Sequence, residues 1–253
     1  MLNYLDELDE RGFRYYFQFT LNDYPKDFEP SVPGVEERIQ TFRKISMHLG
    51  PLRVIWRYDP IIISNRTPLD FHRDKFSKIT AALSGFTRRV MVSFVDYYQK
   101  TERRLSALEQ QGFRFERQAV DSLRAWELLK DLAAIARDHN MQIFTCAEER
   151  DFSKVGVPPG RCIDGELLRE LWSLPGHTKK DPTQRAACLC VVSKDIGMND
   201  TCVHGCPYCY STRNLALAQR RYSEHDPDLP VLWGNGRALS ETEQADQLKA
   251  RLL

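Results

Sequence analysis

The chain has 253 residues, 42% of them hydrophobic, and its 36 basic and 35 acidic residues leave a formal net charge of +1. This length and apolar content exclude wholesale disorder, and the balanced charge argues against nucleic acid or an anionic membrane surface as a partner. The sequence contains no apolar run of 18 residues, the length needed to span a bilayer. Its acidic first ten residues lack the basic start and apolar run of a signal peptide. The sequence therefore predicts a cytoplasmic protein.

The first 150 residues alternate between helical and strand-like patterns. Helices are predicted where apolar residues recur every three to four positions, and strands where short runs are rich in β-branched and aromatic residues. Thr67 and Pro68 have the pattern of an N-cap followed by proline at the first helical position. In chain order the elements are a helix over 2–10, a strand over 14–20, a helix over 35–49, a strand over 53–58, a helix from Thr67 to Gly85, a strand over 89–95, helices over 101–111 and 121–139, and a strand over 141–146.

Strands and helices that alternate at this spacing predict a parallel sheet with crossover helices. An open sheet and a barrel both fit. Polar residues at the ends of four successive strands favour the barrel, because active sites of parallel α/β folds lie at the carboxyl ends of the strands. The simpler alternative is that polar residues begin most loops. The strand-end residues are Gln18 and Thr20, Arg57 and Asp59, Ser93 and Asp96, and Cys146, Glu148 and Glu149.

From residue 151 the pattern changes. Glycines and prolines over 156–160 break regularity, a short helix is predicted over 164–172, and a cysteine-rich segment with little periodicity follows. Residues 226–253 form a polar tail with a short helix predicted from Glu241. We therefore predict a (β/α) barrel-like domain over 1–150, with a cysteine-rich iron–sulfur segment and tail over 151–253 packed on it.

Six of the seven cysteines lie between residues 162 and 209. Because cytosolic thiols stay reduced, this clustering favours a metal site over a disulfide framework. Cys202, Cys206 and Cys209 form a C-x3-C-x2-C pattern, and three thiolates on one tight loop can hold three irons of a [4Fe–4S] cube while the fourth iron stays open. The alternatives are a chance pattern and a structural zinc knuckle completed from Cys188, Cys190 and His204.

Four cysteines lie outside this loop: Cys146, Cys162, Cys188 and Cys190. Four thiolates could fully ligate a second [4Fe–4S] cluster or a tetrahedral zinc ion. Cys146 ends a predicted strand on the side of the proposed active site. The alternative is that Cys146 and Cys162 are small buried residues with a packing role only.

The spacing of the cysteine loop resembles that of radical S-adenosylmethionine enzymes. The resemblance implies that the open iron binds the amino and carboxylate groups of S-adenosylmethionine. Electron transfer from a donor such as a flavodoxin or ferredoxin then yields methionine and a 5′-deoxyadenosyl radical, which abstracts hydrogen from an unknown substrate. Gln18, Arg57, Asp59, Ser93 and Glu148 are the expected cofactor-binding residues. Arg57 would grip a carboxylate, and Asp59 or Glu148 would bind ribose hydroxyls or the methionine ammonium.

The segment 188–197, followed by the three-cysteine loop and Tyr210, resembles the C-terminal signature of the bacterial family called domain of unknown function 1848. Further segments agree: residues 4–8, 16–20, 54–60, 93–96, 145–149 and 179–181. The resemblance implies a radical-SAM-type barrel whose cluster motif lies at the C-terminal end. Members of that family begin with an additional strand and loop, so an N-terminal strand is expected to be missing here. The other functions to weigh are a non-catalytic module stapled by zinc or a cluster, and a truncated, inactive relative.

Overall fold

The computed structural model of the chain describes residues 2–174, 179–229 and 231–234. The helices are α1 (Leu5–Glu10), α2 (Val35–Leu49), α3 (Leu69–Leu83), α4 (Gln99–Glu109), α5 (Leu123–Asp138), α6 (Gly165–Trp172) and α7 (Leu215–Ser223). The strands are β1 (Phe17–Thr20), β2 (Val54–Ile61), β3 (Arg89–Phe94), β4 (Gln142–Cys146) and β5 (Pro159–Gly160). The helix predicted from Glu241 lies outside the described residues. None of the described helices is long and apolar enough to cross a membrane.

The five strands form one parallel sheet in the order β1-β2-β3-β4-β5. The predicted α/β class is therefore confirmed. The sheet is open, with β1 and β5 at its edges, so the described residues form no closed barrel. Each crossover advances one strand in the same direction, and the strand order therefore has no reversal at which a doubly wound sheet would bind its ligand.

Side chains alternate between the two faces of the sheet, as the strand period of two requires. Trp56 and Tyr58 of β2 belong to the main core, together with the buried faces of α2, α3 and α5. On the opposite face, Ile55 and Met91 form a smaller cluster with Leu167 of α6. On the same face and two positions further along their strands, Ile55 is followed by Arg57 and Met91 by Ser93, so the face becomes polar toward its carboxyl end.

The region around Gly160, predicted to be irregular, contains the short edge strand β5, which pairs with β4. Two residues are too few to show a strand pattern, and proline is tolerated at a sheet edge. A Cβ atom on Gly160 would lie 2.6 Å from the Cβ of Phe144 and 2.8 Å from the Cε of Met91. The glycine therefore permits close packing rather than a turn. The sheet continues across residue 150, the expected domain boundary.

The predicted N-cap at Thr67 is wrong. Helix α3 begins at Leu69 with Pro68 in the cap position and no side-chain cap. The Thr67 hydroxyl instead donates to the carbonyl of Ile62 at 2.6 Å, and it also contacts the Ser64 hydroxyl at 2.7 Å. The Thr67 hydroxyl is therefore engaged in the turn before the helix, not at the helix N-terminus.

Candidate functional site

Arg57, on β2, is the centre of a polar network at the carboxyl end of the sheet. Its Nε donates to Asp59 Oδ2 at 3.0 Å, and its Nη2 donates to the same oxygen. Its Nη1 donates to Gln18 Oε1 at 2.7 Å. Ser93 donates its hydroxyl hydrogen to the other Asp59 oxygen. Four of the five predicted cofactor-binding residues are thus joined in one hydrogen-bonded group contributed by three neighbouring strands.

The contacts of Arg57 differ from the role predicted for it. Two of its guanidinium nitrogens donate to one oxygen of Asp59, so the carboxylate that Arg57 holds in this structure belongs to the same chain. Burial alone would lower the pKa of Arg57, but Asp59, Cys162 and Cys146 outweigh that effect and raise it. The guanidinium is therefore a fixed positive charge that orients Asp59 and Gln18.

Glu148, two residues past β4, lies beside this network and is not hydrogen-bonded to Arg57. Its Oε1 accepts a hydrogen bond of 2.7 Å from the backbone N–H of Phe94, at the end of β3. Burial raises the pKa of Glu148 to about 7, and the charges of Asp96, Cys146 and Asp59 add to the effect, while the Phe94 hydrogen bond opposes it. A carboxyl group with this pKa exchanges its proton near neutral pH, as a general acid or base requires.

We expect the Glu148→Gln variant to change how stability depends on pH. The pKa of Glu148 is raised from 4.5 when unfolded to about 7 when folded, so folding favours its protonated form. Its contribution is fully present below pH 4.5 and is lost as the pH rises through 7, a difference of about 3 kcal/mol in the free energy of unfolding. Glutamine keeps the acceptor for Phe94, so the variant should lose less stability than the parent between pH 4.5 and 7.5. Urea unfolding at several pH values measures this, and parallel curves for the two proteins would contradict it.

The three-cysteine loop is folded around a tight turn. The backbone N–H of Cys209 donates to the carbonyl of Cys206 at 3.1 Å, and the Thr212 hydroxyl donates to the carbonyl of Cys202 at 3.3 Å. Gly205, between the first two cysteines, has a φ of +71°, and a Cβ atom there would lie 3.2 Å from a methyl carbon of Leu215. Glycine therefore meets both the backbone conformation and the close approach of α7.

Several contacts fix this loop to the carboxyl edge of the sheet. The Tyr208 hydroxyl donates to Glu29 Oε1 at 2.8 Å, and Glu29 is only 4% exposed in the loop that follows β1. Arg104, in the helix that follows β3, donates to the carbonyls of Cys209 and Thr212. Since both anchors follow carboxyl ends of strands, the loop lies on the same edge as the Arg57 network. The binding roles of both sets remain predictions.

The titration of Cys206 reflects its partly buried position. Burial raises the pKa of this thiol to about 12, and the nearby charges of Glu29, Cys209 and Cys202 act in the same direction. A bound cation reverses such an effect, since it deprotonates a coordinating thiol. His204, between the cysteines, has its Nδ1 3.1 Å from the carbonyl of Ser31, which is a loop contact.

The four remaining cysteines also lie together. The sulfurs of Cys146 and Cys162 are 3.0 Å apart. The backbone N–H of Ile163, next to Cys162, donates to Cys190 Sγ at 3.3 Å, and Cys188 precedes Cys190 by two residues. The hydrogen bond from Cys162, together with Arg57, outweighs burial and lowers the pKa of Cys146 to about 7. Interaction with Cys162 likewise lowers the pKa of Cys190 to about 5, against the effect of burial. Across the described ranges, however, no three His, Cys, Asp or Glu side chains form a group that could hold a metal ion as they stand.

Sequence reasoning did not identify the residues that position the loop. Glu29 and Arg104 are distant in sequence from the cysteines and carry no motif. Nothing in the sequence around Glu29 indicates that it is buried. Its hydrogen-bond partner, Tyr208, lies 179 residues later in the chain.

The family comparison covers most of the chain. A family model described as Domain of unknown function (DUF1848) matches residues 1–211, which include the five strands, the polar network and both sets of cysteines. Comparison with curated proteins gives no match, and comparison with solved structures gives none either.

Proposed function

The chain belongs to the DUF1848 family, and because that description assigns no activity, we propose from its own residues that it is a radical S-adenosylmethionine-type iron–sulfur enzyme. Its substrate remains to be identified. The observation that carries the proposal is the three-cysteine loop 202–209, held by Glu29 and Arg104 at the edge of the sheet where parallel α/β proteins carry their active sites.

The donor set of this loop fits a [4Fe–4S] cluster in type and number. Cys202, Cys206 and Cys209 are all free thiols on one eight-residue segment, and three thiolates leave one iron without a protein ligand. Thiolates of a cube bind different irons, so they need not surround a single point as the ligands of one ion do. Glycine and proline within the segment suit a chain that wraps around a compact inorganic group.

When bound, such a cluster supplies the electron that splits the sulfonium of S-adenosylmethionine into methionine and a 5′-deoxyadenosyl radical. The residues of the chain have three tasks around it. The cysteines hold the metal, and Tyr208 and Glu29 fix the loop and exclude water from its inner side. The carboxylate of Asp59 and the amide of Gln18, oriented by Arg57, present hydrogen-bonding groups of the kind that recognise hydroxyl and ammonium groups.

Two further features support the proposal. The single winding direction of the sheet is that of a segment of a (β/α) barrel, so a partial barrel of radical-SAM type is consistent with the strand order. A groove lined in part by Tyr16, Gln18 and Cys162 opens beside the polar network and gives a small molecule access from solvent. Glu148, with its pKa of about 7, lies beside the polar network and is the group that could exchange a proton with a substrate bound against that network.

The test is anaerobic purification of the full chain, reconstitution with iron and sulfide, and reduction in the presence of S-adenosylmethionine. We expect about four irons bound through the loop, a brown colour that bleaches on reduction, and release of 5′-deoxyadenosine and methionine. A colourless protein with zinc in the loop would favour the non-catalytic module. A fully loaded cluster without cleavage would contradict the enzymatic proposal and favour an inactive relative.

A further inference from the structure

We propose that Cys146, Cys162, Cys188 and Cys190 form a second metal site, separate from the three-cysteine loop. This site binds one zinc ion through four thiolates. The proposal does not depend on the proposed function, because it concerns other residues and another metal. It rests on the backbone contacts that bring the segments carrying these thiols together and on the donors that are directed at three of the four sulfurs.

The four thiols come from three separate parts of the chain. Cys146 ends β4, Cys162 follows the edge strand β5, and Cys188 and Cys190 lie on a later segment. Backbone hydrogen bonds hold that segment in place: Val191 N–H donates to the carbonyl of Ile163 at 3.1 Å, and Asp181 N–H donates to the carbonyl of Cys190 at 2.9 Å. The fold therefore fixes the positions of these cysteines through the backbone around them.

Several donors are directed at the sulfurs. The backbone N–H of Ile163 donates to Cys190 Sγ at 3.3 Å, and Arg57 donates to Cys162 Sγ at 2.6 Å and to Cys146 Sγ at 3.5 Å. A divalent ion with four thiolates carries a net charge of −2. N–H groups and a guanidinium around the sulfurs stabilise that charge and orient the ligands, which is the part that outer hydrogen bonds play in metal sites.

The spacing of the sulfurs favours a single tetrahedral ion over a second cube. With zinc–sulfur bonds of about 2.3 Å, the sulfurs of a tetrahedral site lie about 3.8 Å apart. The sulfurs of Cys146 and Cys162 are 3.0 Å apart, and the backbone N–H of Ile163, next to Cys162, donates to Cys190 Sγ at 3.3 Å. The sulfurs of Cys146 and Cys162 must part by roughly 0.8 Å to reach the zinc–sulfur geometry, a small rotation about χ1. The four thiolates of a [4Fe–4S] cluster bind separate irons, so their sulfurs would have to lie further apart than in a zinc site.

The experiment is a metal count on the full-length protein and two variants. Variant one replaces Cys188 and Cys190 with serine, and variant two replaces Cys202, Cys206 and Cys209 with alanine. We expect about one zinc per chain in the parent protein and in variant two, and at least a tenfold lower zinc content in variant one. Each variant is the control for the other, since iron should follow the opposite pattern under anaerobic reconstitution.

A second measurement covers the case in which variant one fails to fold. Variant two is stripped of metal and titrated with Co²⁺, and the visible bands of tetrahedral cobalt thiolate should appear and saturate near one ion per chain. Three results would overturn the proposal: absence of these bands, iron in place of zinc in variant two, or a Cys146–Cys162 disulfide in freshly purified protein by peptide mass spectrometry. Loss of iron alone would count against the proposed function and leave the zinc site standing.

Discussion

Replacing Cys202, Cys206 and Cys209 together with alanine is expected to abolish cleavage of S-adenosylmethionine by the reconstituted protein. The loop supplies three thiolates, and without them no cluster can be held. The expected loss therefore exceeds the roughly 10- to 100-fold that removal of an outer hydrogen-bond partner of a metal ligand costs. The measurement is 5′-deoxyadenosine formed per chain, together with iron and sulfide content, for parent and variant in parallel.

The control for this variant lies within the same loop. His204→Ala leaves all three thiolates in place and removes only the contact with the Ser31 carbonyl. We expect this variant to keep its iron and its cleavage activity, because the cluster needs no histidine. If His204→Ala lost its metal, the zinc-knuckle alternative with a histidine ligand would gain support. Cleavage activity that survives in the triple variant would contradict the proposed function outright.

The elements with strong periodicity were predictable from sequence, and those fixed by a few tertiary contacts were not. Helix α2 was predicted over 35–49 and is observed at Val35–Leu49, since its apolar spacing and the following Gly50 define both of its ends. Strand β5 was missed because two residues carry no period. Helix α7 was not predicted either; only Ala218 in it is buried, so few packing contacts hold it against the rest of the chain.

Part of the candidate site was predictable from sequence, because the topology of a parallel sheet fixes which strand ends lie together. Carboxyl ends of parallel strands meet at one edge, so sequence order alone was enough to group Gln18, Arg57, Asp59 and Ser93. The sequence analysis grouped these residues but did not pair Arg57 with Asp59. Arg57 is predicted to bind a ligand carboxylate, and in this structure it donates to Asp59, two positions along the same strand and on the same face. Residues i and i+2 of a strand share a face, and this signal was present in the sequence.

The ion pair between Arg57 and Asp59 is expected to contribute strongly to the stability of the fold. Arg57→Met is expected to destabilise the fold by about 3–5 kcal/mol, because it leaves the carboxylate of Asp59 in a largely buried position without its positive partner. The side chains of Arg57 and Asp59 are 17% and 19% exposed, so solvent screens their interaction only in part. For a chain of this size the loss corresponds to a Tm lower by roughly 10 °C. Thermal unfolding followed by circular dichroism measures it, and Arg220→Met, in an exposed pair with Glu224, is the control that should show no measurable change.

A double variant separates loss of the ion pair from loss of packing. In Arg57→Met/Asp59→Asn the unpaired charge is gone, while the Ser93 hydroxyl can still donate to the amide oxygen of the new asparagine. We therefore expect the double variant to be more stable than Arg57→Met alone, with a coupling free energy of about 1–3 kcal/mol between the two positions. If the effects of the two substitutions on the free energy of unfolding were additive, Arg57 would not stabilise the charged form of Asp59. Gln18, Cys162 and Cys146, the other groups that Arg57 contacts, would then account for its contribution to the fold.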